Sequence, residues 1–295
     1  AGLSPQKLTA QHISHLIAPR LNAAGRLESA MAALNLLTTD DPALASKLAQ
    51  ELDNQNRHRQ ELTHQYEEIA IQQALLEDDN PYLLVATHSD FNLGVIGLVA
   101  SHLTERFYRP AIVASVNDEF IRASCRSIPE LNITETLDEC VDLMEHHGGH
   151  AAAAGFTIKR HLFPELLSRL RNITENKLKD KTLQPTIIAD SELDLNKSID
   201  FFQDLEYLQP TGIGNPPPLF VTRNLIPQNP KQVGKDLTHL RFQVNGAYPC
   251  IAFNKGEMLE NFPNKIDILY SIEQNDFNGS SYLQLVVRDI KPSQI

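Results

Sequence analysis

Three groups of residues in this 295-residue chain have the types and spacing to handle an anion. The first is Arg20-Leu21-Asn22-Ala23-Ala24-Gly25-Arg26. Arg20 and Arg26 carry planar, permanently charged forks that match phosphate oxygens. Ala23, Ala24 and Gly25 leave the backbone uncovered, so a ligand can come close. The same small residues equally suit a tight helix crossing, with the arginines paired to acids elsewhere. The second group is Ser124-Cys125-Arg126-Ser127, where hydroxyls flanking an arginine make a phosphate-binding edge. Serine and arginine are also ordinary loop residues. The third is His146-His147-Gly148-Gly149-His150, whose glycines set bare backbone N–H groups beside an imidazole that can donate to an anion. A plain glycine turn with exposed histidines is the rival reading.

Other chemistries are less well served. Cys125 as a nucleophile needs a depressed pKa and a nearby base, a part His150 would fill only in three dimensions. A zinc site from Cys140, His146 and His150 matches no common ligand spacing and lacks a fourth ligand. Asp90-Phe91-Asn92-Leu93-Gly94-Val95-Ile96-Gly97 resembles a phosphate-cradling turn at a helix start, but it is neither a P-loop nor a dinucleotide fingerprint. A structural strand-to-helix turn is the safer reading.

The elements that must position these groups follow from periodicity. The chain reads as helical to about Thr38, with Pro19 breaking or kinking the pattern. Asp40-Asp41-Pro42 is a strong helix start, and no Gly or Pro follows until Pro81. That predicts a helix from Pro42 to about Leu76, roughly 50 Å at about 1.5 Å per residue. Its ends carry apolar stripes, whereas residues 54–60 are polar all round. Such a profile fits a connector crossing solvent, or two helices broken near Asn56. From Pro81 to about Leu178, strands at 82–86, 111–116 and 156–158 alternate with helices at 94–107, 132–146 and 163–170. An α/β layer with a mixed, largely parallel sheet is expected. After the charged run Lys177 to Lys181, short β-rich runs begin: 219–221, 240–244, 250–253, 266–272 and 283–287. Gly, Pro and Asn clusters at 212–218 and Asn278-Gly279 separate them. Five short strands predict an all-β, OB-fold-like barrel.

Composition narrows the partners. A hydrophobic share of 42% with 21% charged residues is globular. No apolar run approaches the ~20 residues of a membrane span. Three scattered cysteines fit a reducing compartment rather than a disulfide framework, so a cytoplasmic protein is expected. The net charge is −11, and residues 51–150 alone carry −12. A global basic footprint for nucleic acid is absent, so any contact with an anionic polymer must come from locally placed arginines.

Taken in order, the motifs resemble the RecJ family of single-strand-specific DNA exonucleases, within the DHH phosphoesterase superfamily. The resemblance runs through Arg20 to Arg26, Leu93 to Ala100, Arg109 to Val113, Ser124 to Ser127, Gly148-Gly149-His150, Ala153 to Gly155, Pro210 to Pro216 and Thr238 to Leu240. It implies three parts: residues 1–80 as a helical segment and long connector from a DHH domain, 81–180 as the DHH-associated α/β domain, and 181–295 as an OB-fold. It implies that Arg20, Asn22, Arg26, Ser124, Arg126, Ser127, Gly148 and Gly149 line a cleft near the substrate's phosphates, with His150 as the candidate catalytic group. The family cuts single-stranded DNA from its 5′ end with Mn2+ or Mg2+, in DNA repair and recombination. A single-strand-binding protein or a helicase is an expected partner besides the DNA. The family's Asp-His-His triplet is absent from this sequence. The chain is therefore expected to be the C-terminal part of a larger enzyme, without a metal site and inactive alone. An oligonucleotide or nucleotide phosphatase of the DHH type and a non-catalytic single-strand-binding replication adaptor are the alternatives. Phe242, Tyr248 and Phe253 are candidates to stack bases, or to fill the barrel core.

Overall fold

Pro19 has no N–H to give to the turn before it. The chain accommodates this with a π-helical stretch, Ile13–Ile17, between a single turn α1 (Ala10–His12) and α2 (Ala18–Leu27). After α3 (Met31–Thr38), the Asp41 carboxylate accepts the Ala43 N–H at 2.8 Å and Pro42 takes the first helical position. The helix so started, α4 (Pro42–Leu76), runs for 35 residues without a break at Asn56. The structure is a computed structural model describing residues 2–4, 8–27, 29–76, 81–195, 201–212, 214–234, 236–246, 248–277 and 280–293.

Five strands follow: β1 (Leu84–His88), β2 (Ala111–Val116), β3 (Phe120–Arg126), β4 (Met144–His150) and β5 (Ala153–Lys159), in the order β1-β2-β3-β5-β4. The sheet is mixed, as expected, but only β1 and β2 run parallel. The expectation of a largely parallel sheet is corrected by two hairpins. In the first, the Asn117 side chain accepts the N–H groups of Glu119 and Phe120, so β3 turns straight back along β2. In the second, β4 pairs antiparallel with β5. The helix expected over 132–146 is also corrected. Asn132 caps a short α6 (Ile133–Asp138), and after a 3-10 turn the chain enters β4, where glycines poor at sustaining a helix pair as strand. Gly148-Gly149 is thus strand, not turn.

Helix α5 (Ile96–Phe107) packs on β2 and β3, and the second half of α4 packs on α5 and β1. They close an apolar layer with Tyr66, Ala70, Val99, Leu103 and Val113. The opposite sheet face is covered from α6 and α7 (Phe163–Leu178) by Ile133, Leu137, Leu166 and Leu170 over Ile112, Cys125, Phe156 and Ile158. The first half of α4 packs through Leu52 on Ala24 of α2 and Ala33 of α3. Helix α4 is therefore packed through both halves; at its polar waist Asn54, Arg57, His58 and Gln60 are exposed while Asn56 is only 3% exposed, so the waist meets solvent on one side and not all round.

The chain divides into two compact units: Ala1–Leu3 with His12–Pro185, and Ser4–Gln11 with Thr186–Ile295. The second contains α8 (Phe202–Leu205) and strands β6 (Ser191–Glu192), β7 (Phe220–Leu225), β8 (Gln228–Val233), β9 (His239–Val244), β10 (Tyr248–Ala252), β11 (Ile266–Phe277) and β12 (Ser280–Pro292). They form one sheet in the order β6-β7-β11-β12-β10-β9-β8. Five strands match the apolar runs in the sequence. The sixth and seventh, β6 and β8, lack such runs. In β8 the register slips between Gln228 and Lys231, around Pro230, and Asn229 adopts a left-handed φ of 51°. Leu240, Phe242, Cys250, Tyr270 and Leu285 fill the core of this unit. Burial raises the Tyr270 pKa to about 12, and its hydroxyl shares a 2.9 Å hydrogen bond with Thr222. Asn278-Gly279 lies outside the described residues. Among those described, no helix is long and apolar enough to cross a membrane.

Candidate nucleic-acid interface

Register decides which side chains share a face. On the α5 face, one row crosses the sheet as Ala111, Arg126, Ala153 and His150. The next row is Val113, Ser124, Gly155 and Gly148, and a third is Ser115, Arg122, Thr157 and His146. Helix α5 covers β2 and β3, so on this face the ground between Arg126 and His150 is floored by Ala153, Gly155 and Gly148. A Cβ at Gly148 would meet open space. The result is a shallow trough about 10 Å across, two strand spacings, with Arg126 and Ser124 on one bank and His150 and His146 on the other. Gly149 is required for a different reason. At φ +152° its Cβ would lie 2.3 Å from the Ala153 carbonyl oxygen, so β4 approaches β5 this closely only with glycine there.

Two further glycines seat arginines. Arg126 donates through Nε to Ser101 Oγ at 3.1 Å and through Nη1 to the Cys125 carbonyl at 2.8 Å. A Cβ on Gly97 would stand 2.9 Å from Arg126 Nη2 and 3.2 Å from Ser124 Oγ. A Cβ on Gly94 would stand 1.8 Å from the Arg26 carbonyl oxygen, and Arg26 Nη1 donates back to the Gly94 carbonyl at 3.2 Å. The turn read as a strand-to-helix connection is thus also the seat of Arg26 and Arg126. Burial lowers the Arg126 pKa; the adjacent Cys125 works against this and the nearby Arg26 charge adds to it.

The remaining candidates separate. Arg20 donates through Nε to Asp53 at 2.7 Å and through Nη1 to the Leu16 carbonyl at 2.6 Å. Arg57 reaches the other Asp53 oxygen at 2.6 Å. The Arg20 hydrogen bond leads in holding the Asp53 carboxyl below its usual range. Arg20 therefore clamps α2 to α4, away from Arg26. Asn22 is exposed on α2, about 40° around the helix from Arg26. Ser127 is committed to its own loop, donating through Oγ to the Leu131 carbonyl at 2.7 Å.

Cys125 faces the α6–α7 core, opposite to Ser124 and Arg126. Burial raises its thiol to about 12, the reverse of what a nucleophile needs, and His150 lies on the other face. Cys140 is likewise buried in the core, away from His146 and His150. Among the described residues no group of three or more His, Cys, Asp or Glu side chains is gathered to hold a metal ion, so a divalent cation does not fit the residues of this trough. Sequence reasoning passed over Arg59, taken as part of a solvated waist. Its signal was the helical spacing of Asn56, Arg59 and Thr63, which runs between the buried Leu52 and Tyr66. In the second unit Phe242 fills the core, Tyr248 is half-buried, and Phe253 is exposed edge-on to His239 with ring centroids 5.1 Å apart.

Comparison with known proteins agrees with this architecture. The DHHA1 domain family matches residues 80–176 and the RecJ OB domain family matches residues 189–289. The single-stranded-DNA-specific exonuclease RecJ of Bacillus subtilis is 34% identical over 290 residues, covering 94% of this chain and 36% of that protein. The RecJ of Salmonella typhimurium is 33% identical over 305 residues, covering 98% of this chain and 52% of that protein. The crystal structure of Thermus thermophilus RecJ in complex with Mg2+ superposes with a TM-score of 0.83 at 28% identity, over 97% of this chain and 44% of that one. The chain thus spans between about a third and a half of the length of these relatives. Along almost its whole length, the chain is a homologue of the region of the RecJ exonucleases that comprises the DHHA1 and OB domains.

Proposed function

We propose that this chain holds the substrate of a single-stranded-DNA exonuclease working from the 5′ end, with one strand's phosphates lying in the trough between Arg126 and His150. The observation that carries the reading is the register row that sets these two side chains on one open face, with only alanine and glycine between them. Arg26 and Arg126 supply permanent charge, Ser124 adds a hydroxyl donor, and Gly148 lets the strand approach the sheet. Gly149 keeps β4 in place. His150 faces the phosphates from the far bank, where its imidazole can donate to an oxygen. Phe253 offers an exposed ring for a base in the OB unit, a contribution of roughly 1–3 kcal/mol per stacked base. The Thermus RecJ crystals contain Mg2+ or Mn2+. The described residues gather no ligand set for such an ion, so activation of water is not assigned to them.

The test is binding of a short, 5′-phosphorylated oligodeoxythymidylate in the presence of a chelator, read by fluorescence anisotropy. A desolvated arginine–phosphate contact is worth about 1.5–3 kcal/mol, so Arg126→Gln should weaken binding about tenfold or more while circular dichroism stays unchanged. Equal affinity in the wild type and Arg126→Gln would show that the trough does not hold DNA.

A further inference from the structure

We infer that Arg59, on helix α4, is a third phosphate-positioning residue that acts with Arg26 and Arg126 on the same strand. The inference rests on the reading of the trough as a DNA site. Arg59 lies at one end of a groove of about 560 Å³ between α4 and α5, shared with Thr63, His102 and Arg106 and also with Glu67 and Glu68, of which Glu67 is paired with His102 at 2.9 Å. Leu27, next to Arg26, packs into the apolar layer that includes Leu62 and Tyr66 of α4. The end of α2 and the second half of α4 thus border one apolar layer, and α2 packs on α4. The Arg59 fork is under-satisfied. Nη2 donates to Asn56 Oδ1 at 3.1 Å, and the buried Nε has no hydrogen-bond partner among the described residues. Burial lowers its pKa first, and the Arg26 charge lowers it further.

Arg26 is thus close enough to both other arginines for its charge to act on each. Among the described residues, none of the three forms an ion pair with a carboxylate, a condition they share with Arg106, Arg109, Arg122, Arg241 and Arg288; what sets Arg59 apart is a buried Nε without a partner. The Arg26 charge from α2 acts against both Arg59 of α4 and Arg126 of β3, and an anion placed beside it relieves that repulsion. The proposed strand supplies one.

Salt dependence tests this. For a single strand, each phosphate neutralised contributes about 0.7 to the slope of log affinity against log salt. Arg59→Gln should weaken oligodeoxythymidylate binding several-fold and flatten the slope by about 0.7, as Arg126→Gln should. A merely structural Arg59 would lower the thermal midpoint and leave the slope alone. If Arg126→Gln flattens the slope and Arg59→Gln does not, the inference fails and the trough reading stands. If neither changes it, both fail. Should Arg59→Gln not fold, Arg59→Lys carries the test: it keeps the charge and loses the fork, so affinity should drop at an unchanged slope. Wild-type affinity in Arg59→Lys overturns the inference.

Discussion

Helices α2 and α4 each contribute one arginine to two clusters, and the clusters are treated in opposite ways. Arg20 and Arg57 share Asp53, whose two oxygens accept from one arginine each. Arg26 and Arg59 form no ion pair among the described residues, and the Arg26 charge acts on Arg59 and on a third arginine, Arg126. The first arrangement satisfies itself and fastens two helices together. The second is the one proposed to take its counter-charge from a bound strand. Residue type is the same in both, so what separates the scaffold pair from the proposed site is the placement of a single carboxylate.

The largest effect expected on this contrast comes from Gly94→Ala. The new Cβ would fall 1.8 Å from the Arg26 carbonyl oxygen and 2.7 Å from its carbonyl carbon, both main-chain atoms that cannot swing aside. Overpacking of this kind costs about 1–3 kcal/mol, so urea denaturation should show a clear loss, accompanied by weaker single-strand binding as Arg26 is displaced. Asp53→Asn probes the other cluster. It should lower the thermal midpoint while leaving single-strand affinity at the wild-type level. If affinity falls as far as in Arg126→Gln, the two clusters do the same work and the contrast is broken. Because the Asp53 carboxyl is held below its usual value, its contribution is present above the ordinary carboxylate pKa of about 3.9 and is lost as pH falls through the lower, folded one. Asp53→Asn should therefore flatten the acid limb of the stability profile. The smallest effect is expected from Gly97→Ala, where the new Cβ meets the far end of the flexible Arg126 side chain at 2.9 Å. The fork should shift at little cost to stability, and affinity should fall only a few-fold by anisotropy.

Sequence alone carried α4 from Pro42 to Leu76, because an acidic cap, a proline and the absence of any breaker are local signals. It carried the α/β layer followed by a β-rich unit for the same reason. It did not carry β4 or β8, whose Gly-His and Gln-Asn-Pro-Lys runs have no apolar alternation and are held as strands by their neighbours. The candidate site was half legible. Arg26, Ser124, Arg126 and His150 stand out by type, but only register puts Cys125 on the opposite face from its two neighbours. Arg20 and Arg26 look equivalent in sequence. Six residues turn them about 120° apart around α2, and the acid that neutralises one of them lies 33 positions away.

The irregularity at β8 has a consequence beyond its own strand. A sheet that ends in a regular, apolar strand offers a row of unused donors and acceptors on which another polypeptide can grow. Here Pro230 has no donor to offer, the left-handed turn at Asn229 bends the rim, and Lys231 adds a like charge that a second copy would have to approach. At the opposite rim, β6 is two residues long. Both rims of the seven-stranded sheet are therefore poor templates, and the OB unit is protected from edge-to-edge polymerisation by the same polar residues that hid β8 from the sequence pattern.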